Sequence, residues 1–169
     1  MPDHTNGSEL TVHIRNALSM SKQDLDQYET LVLKGGEVDV QGLRQRIEGA
    51  SFLGFVSDGS RMVAVGAVKR LTQHHVREIA DKSGLNLETY RGELGYLYVE
   101  SEYRKRHICY RITEGLLDNY ADPVFATTRT DNTAIHRALG KSGFIRHGSD
   151  WRSELRSSID LCLWTWDPR

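Results

Sequence analysis

The chain has 169 residues, room for one compact domain with a proper core and hardly for two. Its 22 Lys and Arg stand against 23 Asp and Glu, a formal charge of -1, which excludes the global basic field that draws a protein onto nucleic acid without sequence preference. The two cysteines, Cys109 and Cys162, are too few for a disulfide framework and lack metal-type CxxC spacing, and no run reaches the ~18 to 20 apolar residues of a membrane span. A soluble, unexported, cytoplasmic protein without a metal is the expectation.

The opening segment Met1 to Ser8 is polar, lacks the basic-then-apolar pattern of a secretory signal, and reads as a short mobile tail before a domain spanning 9-169. Leu10, Val12 and Ile14 then alternate with polar residues as in a half-buried strand. "SKQDLDQYETLVLKGG" reads as a helix capped by Ser21, with Leu25, Tyr28 and Val32 on one face and Gly35-Gly36 as its stop; a second short helix follows in "VQGLRQRIEGA". Asp58-Gly59, between "SFLGFVS" and "RMVAVGAVKR", is a strong hairpin signal. A polar, partly helical connection from Leu71 to Arg91 carries His74 and His75. The pair could supply ligands or a base, but consecutive residues point to different sides and no third ligand is suitably spaced, so a solvated or hydrogen-bonded pair is the favoured reading.

"GELGYLYVES" is the next strand, "EYRKRH" a loop, and "ICYRITEGLLDNY" a helix with Ile108, Ile112 and Leu116 on one stripe. "DPVFATTR" is a strand opened by proline, and "DNTAIHRALGKSGF" a helix capped by Asp131 or Asn132 and stopped by Gly143. "SSIDLCLWTW" closes the chain as a strand, either inside the sheet or as an edge that could pair two copies into a homodimer. Strands alternating with helices after an antiparallel hairpin argue an α/β (α+β) single domain with a mixed central sheet flanked by helices.

Three pieces stand in order: the strand from Glu93 to Val99, the cationic loop from Tyr103 to Cys109, and the strand-loop-helix from Val124 to Phe144. In this arrangement the chain resembles the GNAT (Gcn5-related N-acetyltransferase) superfamily. The family's strand ending is met by Leu97, Tyr98 and Val99. Its [Q/R]-x-x-G-x-[G/A] motif is met by Arg104, Lys105, Arg106, His107, Ile108 and Cys109, and its later helix by Asn132 and by Lys141, Ser142, Gly143 and Phe144. The resemblance implies acetyl-CoA as co-substrate, an amine as acceptor and direct transfer in a ternary complex. The backbone of Leu97 to Val99 would hold the pantetheine arm, the Arg104 to Cys109 loop the diphosphate, and Glu93 would be the general base.

The physics agrees at the loop. A helix N-terminus offers unpaired N–H groups and partial positive charge, and Arg104, Lys105 and Arg106 add cations, which is what a diphosphate needs. An attacking ammonium must lose a proton, and Glu93, six residues before Val99, would share its face in a regular strand. Glu93 could equally form an ion pair at the strand's start.

Two departures from the family pattern stand out. Its two small loop residues are His107 and Cys109, so side chains project where the backbone is usually bare. Should the Cys109 thiol face the loop, the helix dipole and the cations would make it reactive. The tyrosine that commonly protonates the departing thiolate falls at Leu139, with Tyr98 and Tyr110 nearby in sequence. A catalytically degenerate GNAT-fold binding or regulatory module is therefore the alternative. The early helices and the Thr72 to Arg91 stretch would build the acceptor site, where Asp24, Asp26, Glu29, Glu37 and Asp39 could attract a polyamine or basic peptide or simply form a solvated face. "RKR" is a weak basic-patch motif, and the missing surrounding basic excess argues against nucleic acid.

Overall fold

The computed structural model describes residues 10–168, so the opening tail lies outside the described residues. The central hairpin is the organising piece. Strands β2 (Phe52–Asp58) and β3 (Arg61–Arg70) turn at Gly59, whose φ of 58° is a left-handed conformation that glycine adopts without strain. β1 (Val12–Arg15) pairs antiparallel with β2, and β4 (Gly92–Val99) with β3. The chain then crosses over through α4 (Ile108–Asp118) to β5 (Val124–Arg129), which runs parallel to β4. β7 (Asp160–Trp166) and β6 (Ile145–Arg152) complete a seven-stranded mixed sheet in the order β1-β2-β3-β4-β5-β7-β6.

The closing strand is thus internal, and β6 takes the edge in its place. Nothing in "IRHGSDWR" alternates apolar with polar, and the sequence reading leaves it without an element. In the structure every β6 residue except Trp151 is exposed, so the period-2 signal is missing because neither face is buried.

Helices cover both faces. α1 (Lys22–Gly35) begins where the Ser21 hydroxyl accepts the Asp24 N–H at 3.1 Å and ends at Gly36 with φ 74°. It buries Leu25, Tyr28, Leu31 and Val32, and with α2 (Leu43–Glu48) packs on Leu53, Val65 and Ala67. On the same side α3 (Gln73–Ser83) sets Ile79 near Phe125 and Leu163. Across the sheet α4 buries Ile108, Ile112 and Leu116 against Val56, Val68, Leu94 and Val124, and α5 (Thr133–Lys141) adds Leu139.

Two irregularities in β4 shape the middle of the sheet. First, Val65 pairs with Tyr98 but Ala67 with Gly95, so Tyr96 and Leu97 together face Gly66: this is a β-bulge, with Tyr96 at φ 56°. Before it, Glu93 points to the α3 side. After it, Tyr96 and Tyr98 occupy that side, while Leu97 and Val99 pack with α4. The expectation that Glu93 shares a face with Val99 fails, because one inserted residue turns the even offset odd. Second, β4 and β5 pair only at Gly92 with Val124 and Glu93 with Phe125, then part company. The β5-facing edge of Leu97 to Val99 has no strand partner, while its other edge stays on β3.

Candidate active site

The cationic loop leads from the end of β4 into α4. A short 3₁₀ turn, Ser101–Tyr103, precedes Arg104, and two non-glycine residues, Lys105 (φ 62°) and His107 (φ 57°), lie in the left-handed region. His107 is the residue just ahead of α4, and no side chain caps the helix, so the N–H groups of its first turn stay free. The backbone therefore adopts at His107 the conformation that glycine favours, with the imidazole exposed. Arg104, Lys105 and Arg106 are all exposed. Arg106 lies over the Tyr103 ring at 5.3 Å, and Arg104 lies 5.9 Å from the centre of Tyr98 while its Nε donates to the Val99 carbonyl at 3.0 Å. That carbonyl, expected free for a pantetheine arm, has a side-chain partner.

Cys109 is not the reactive thiol that an outward-facing position would make it. Burial pushes its pKa up to about 12, although the residue as a whole is half-buried at the start of α4. Asn132 caps α5, its side-chain oxygen accepting the Ile135 N–H at 3.3 Å. Leu139 is fully buried in the α4–α5 core and offers no proton. The hydroxyl of Tyr98 donates to Glu100, and the Tyr110 ring lies under Lys141 Nζ at 4.1 Å.

Glu93 sits where β4 and β5 part, 4 % exposed, with three donors on its carboxylate. Lys69 Nζ from β3 approaches at 3.0 Å, His75 Nε2 from α3 at 2.9 Å and the Thr127 hydroxyl from β5 at 3.1 Å. Gly95 makes room for this: a β-carbon there would stand 2.8 Å from the Lys69 side chain. Burial raises the Glu93 pKa, but Lys69 and His75 outweigh it and hold the carboxyl at about 2. The hydrogen bond to Glu93 raises the His75 pKa in turn, against the opposing effect of burial. Sequence reasoning named Glu93 and read His75 as half of a solvated or hydrogen-bonded pair, which its contact with Glu93 fits, but passed over Lys69 and Thr127. Lys69 pairs directly with Glu93 across β3 and β4, but α3 separates those strands in sequence and no hairpin turn fixes their register; Thr127 has no local signal.

The rim of the parted strands is charged and internally matched. Glu37, between α1 and α2, meets Arg129 at the end of β5 (3.3 Å) and Arg156 between β6 and β7 (3.7 Å), and Arg156 also donates to the Gly36 carbonyl at 2.8 Å. Asp26 and Glu29 both pair with Arg44, Asp24 accepts from Ser21, and Asp39 accepts the Gln41 N–H. All five acidic residues that the sequence offers as attractors of a basic acceptor therefore have partners within the chain. Among the described residues no cluster of three or more His, Cys, Asp or Glu is placed to hold a metal ion, and no helix is long and apolar enough to cross a membrane.

No family model matches the sequence, and no curated protein matches it. Solved structures do match over nearly the whole fold. An acetyltransferase of the GNAT family from Streptococcus agalactiae superposes with a TM-score of 0.69 at 12% identity, covering 95% of this chain and 99% of that one. Arabidopsis thaliana NAA60, solved in complex with a bisubstrate analogue, gives 0.68 at 14% identity over 94% of this chain and 99% of that one. A chain of the NatC complex bound to Gag peptide and CoA gives 0.67 at 15% identity, covering 95% and 99%. The chain therefore has the fold of the GNAT superfamily of acetyltransferases.

Proposed function

We propose that this protein moves the acetyl group of acetyl-CoA directly onto a primary amine within a ternary complex. The observation that carries this reading is the parting of β4 from β5 after Glu93, with the uncapped start of α4 beyond the far end of the gap. In this reading the diphosphate rests on the N–H groups and cations of Arg104, Lys105, Arg106, His107, Ile108 and Cys109. The unpaired edge of Leu97, Tyr98 and Val99 receives the pantetheine arm and polarises the thioester carbonyl, Arg104 giving up its bond to Val99. Asn132 lines the facing wall at the start of α5.

Proton removal falls to the Glu93 cluster. With its pKa held at about 2, the carboxylate alone is a poor acceptor near neutrality, so Glu93 acts as a base only together with the groups bonded to it. The departing thiolate, with an ordinary thiol pKa of ~8.5, leaves acceptably without an acid at Leu139. Since NAA60 was solved with a bisubstrate analogue and the NatC chain with a peptide and CoA, peptide amines belong beside small amines among the acceptors to try. Both cysteines are free, which suits a reducing compartment, and we place the protein in the cytoplasm.

A second reading has its own support. Arg104 holds the Val99 carbonyl, and side chains stand at His107 and Cys109, as in a GNAT-fold module that binds a partner without transferring acetyl groups. Calorimetric titration with acetyl-CoA, with the thermal-melt shift as second readout, separates the two. Micromolar binding, roughly 8 kcal/mol, followed by thiol release when amines are added, supports the transferase. Absence of heat and of any shift at millimolar acetyl-CoA would assign the chain to the binding module.

A further inference from the structure

We propose that the proton acceptor of the transfer is Nδ1 of His75, with Glu93 as the positioning residue that fixes the ring behind it. The inference rests on the acetyltransferase reading and names the atom that reading leaves open. The Glu93 carboxylate already takes hydrogen bonds from His75 Nε2 and the Thr127 hydroxyl, at 2.9 and 3.1 Å, and an ion pair with Lys69 Nζ at 3.0 Å, so little of its acceptor capacity remains. An ionised carboxylate can only accept. The contact at Nε2 therefore fixes the neutral imidazole with its hydrogen on Nε2, which leaves the lone pair on Nδ1. That nitrogen points away from the buried carboxylate, and the His75 side chain is 36% exposed while Glu93's is 5% exposed.

The place fits the chemistry. Phe125, whose ring centre is 6.3 Å from that of His75, is the β5 residue in the last β4–β5 pair, so the imidazole stands over the point where the strands part. The charged groups facing it are Glu93 from β4, Lys69 from β3 and Glu78 one turn along α3, with Glu78 Oε2 3.9 Å from Nδ1. β5 contributes the apolar Phe125 ring. Two carboxylates against one ammonium favour the imidazolium that forms on proton uptake, which is the direction of the His75 pKa shift.

In the transfer the acceptor ammonium gives one proton to His75 Nδ1, directly or through one water. The freed nitrogen lone pair attacks the thioester carbon, and the C–S bond breaks with its electron pair left on sulfur. The second proton of the new amide nitrogen goes to that thiolate, giving the coenzyme A thiol. His75 returns its proton to solvent.

The first test needs no acceptor. Nitrogen NMR of the imidazoles in the full chain, titrated through the neutral range, should show His75 neutral with hydrogen on Nε2 and its midpoint above the ordinary histidine value, falling in Glu93→Gln. A neutral ring with hydrogen on Nδ1 overturns the proposal. The second test monitors thiol release from acetyl-CoA with spermidine, ethanolamine and an alanine-started peptide. His75→Ala should lose about 100-fold or more in kcat/KM at unchanged acetyl-CoA affinity, and added imidazole should restore part of it. Full activity in the variant, or a loss that imidazole does not relieve at unchanged melting temperature, overturns the role of His75 alone. Wild-type protein that binds acetyl-CoA but acetylates none of the three amines overturns the transferase reading, and this inference with it.

Discussion

His107 shows how far one residue can depart from a motif without changing what the backbone does. A side chain at φ 57° stores strain on the order of 1–3 kcal/mol, part of which glycine would return to the flexibility of the unfolded chain. His107→Gly should therefore raise stability by about 1 kcal/mol, a rise in melting temperature of roughly 2–4 °C for a chain of this size. Because the main chain already has the glycine-like conformation, acetyl-CoA affinity in the calorimeter should stay unchanged; a large gain would mean that the imidazole obstructs the diphosphate. The loop residues Arg104 to Cys109 were legible in the sequence because a motif is local. The environment of Glu93 was not, since Lys69, His75 and Thr127 come from three other elements that only the sheet brings together.

At the scale of elements the β4 bulge decides which side chains meet. Both β-strand parity and the sharing of a face by Glu93 and Val99 depend on regular pleating, and one extra residue reverses them; within "GELGYLYV" only Gly95, directly before the extra residue, hints at where it enters. The partner strand does mark it, through Gly66. A β-carbon there would stand 2.7 Å from Leu97 Cδ2 and 2.8 Å from Ile112 Cγ2, and the Gly66 carbonyl accepts from the fully buried Tyr28 hydroxyl. Gly66→Ala should cost about 1–3 kcal/mol by overpacking, read as a lower midpoint in urea at unchanged slope. Helices capped by Ser21 and Asn132 and the turn at Gly59 were readable because caps and turns act within a few residues. β6 was not, since an edge strand exposed on both faces carries no alternation to read.

For the whole molecule, the buried cluster at Glu93 ties stability to pH from two sides. A carboxyl held at about 2 in the folded chain against 4.5 unfolded contributes stability that is fully present above 4.5 and is lost as the pH falls from 4.5 toward 2, on the order of 3 kcal/mol in all. His75 runs the other way. Its pKa is raised above 6.5 on folding, so its contribution is complete below 6.5 and fades as the pH climbs through the folded value. Together they put the cluster's greatest contribution between 4.5 and 6.5. Glu93→Gln should destabilise the protein most in that interval, because Lys69 and the imidazolium then face a neutral amide at a buried position. Below pH 3, where Glu93 is itself nearing protonation, the variant and the wild type should converge. Urea unfolding of both proteins at half-unit steps from pH 2.5 to 8 checks this: a stability gap that shrinks at both ends of the range is expected, and a gap independent of pH would show that Glu93 acts by shape and not by charge.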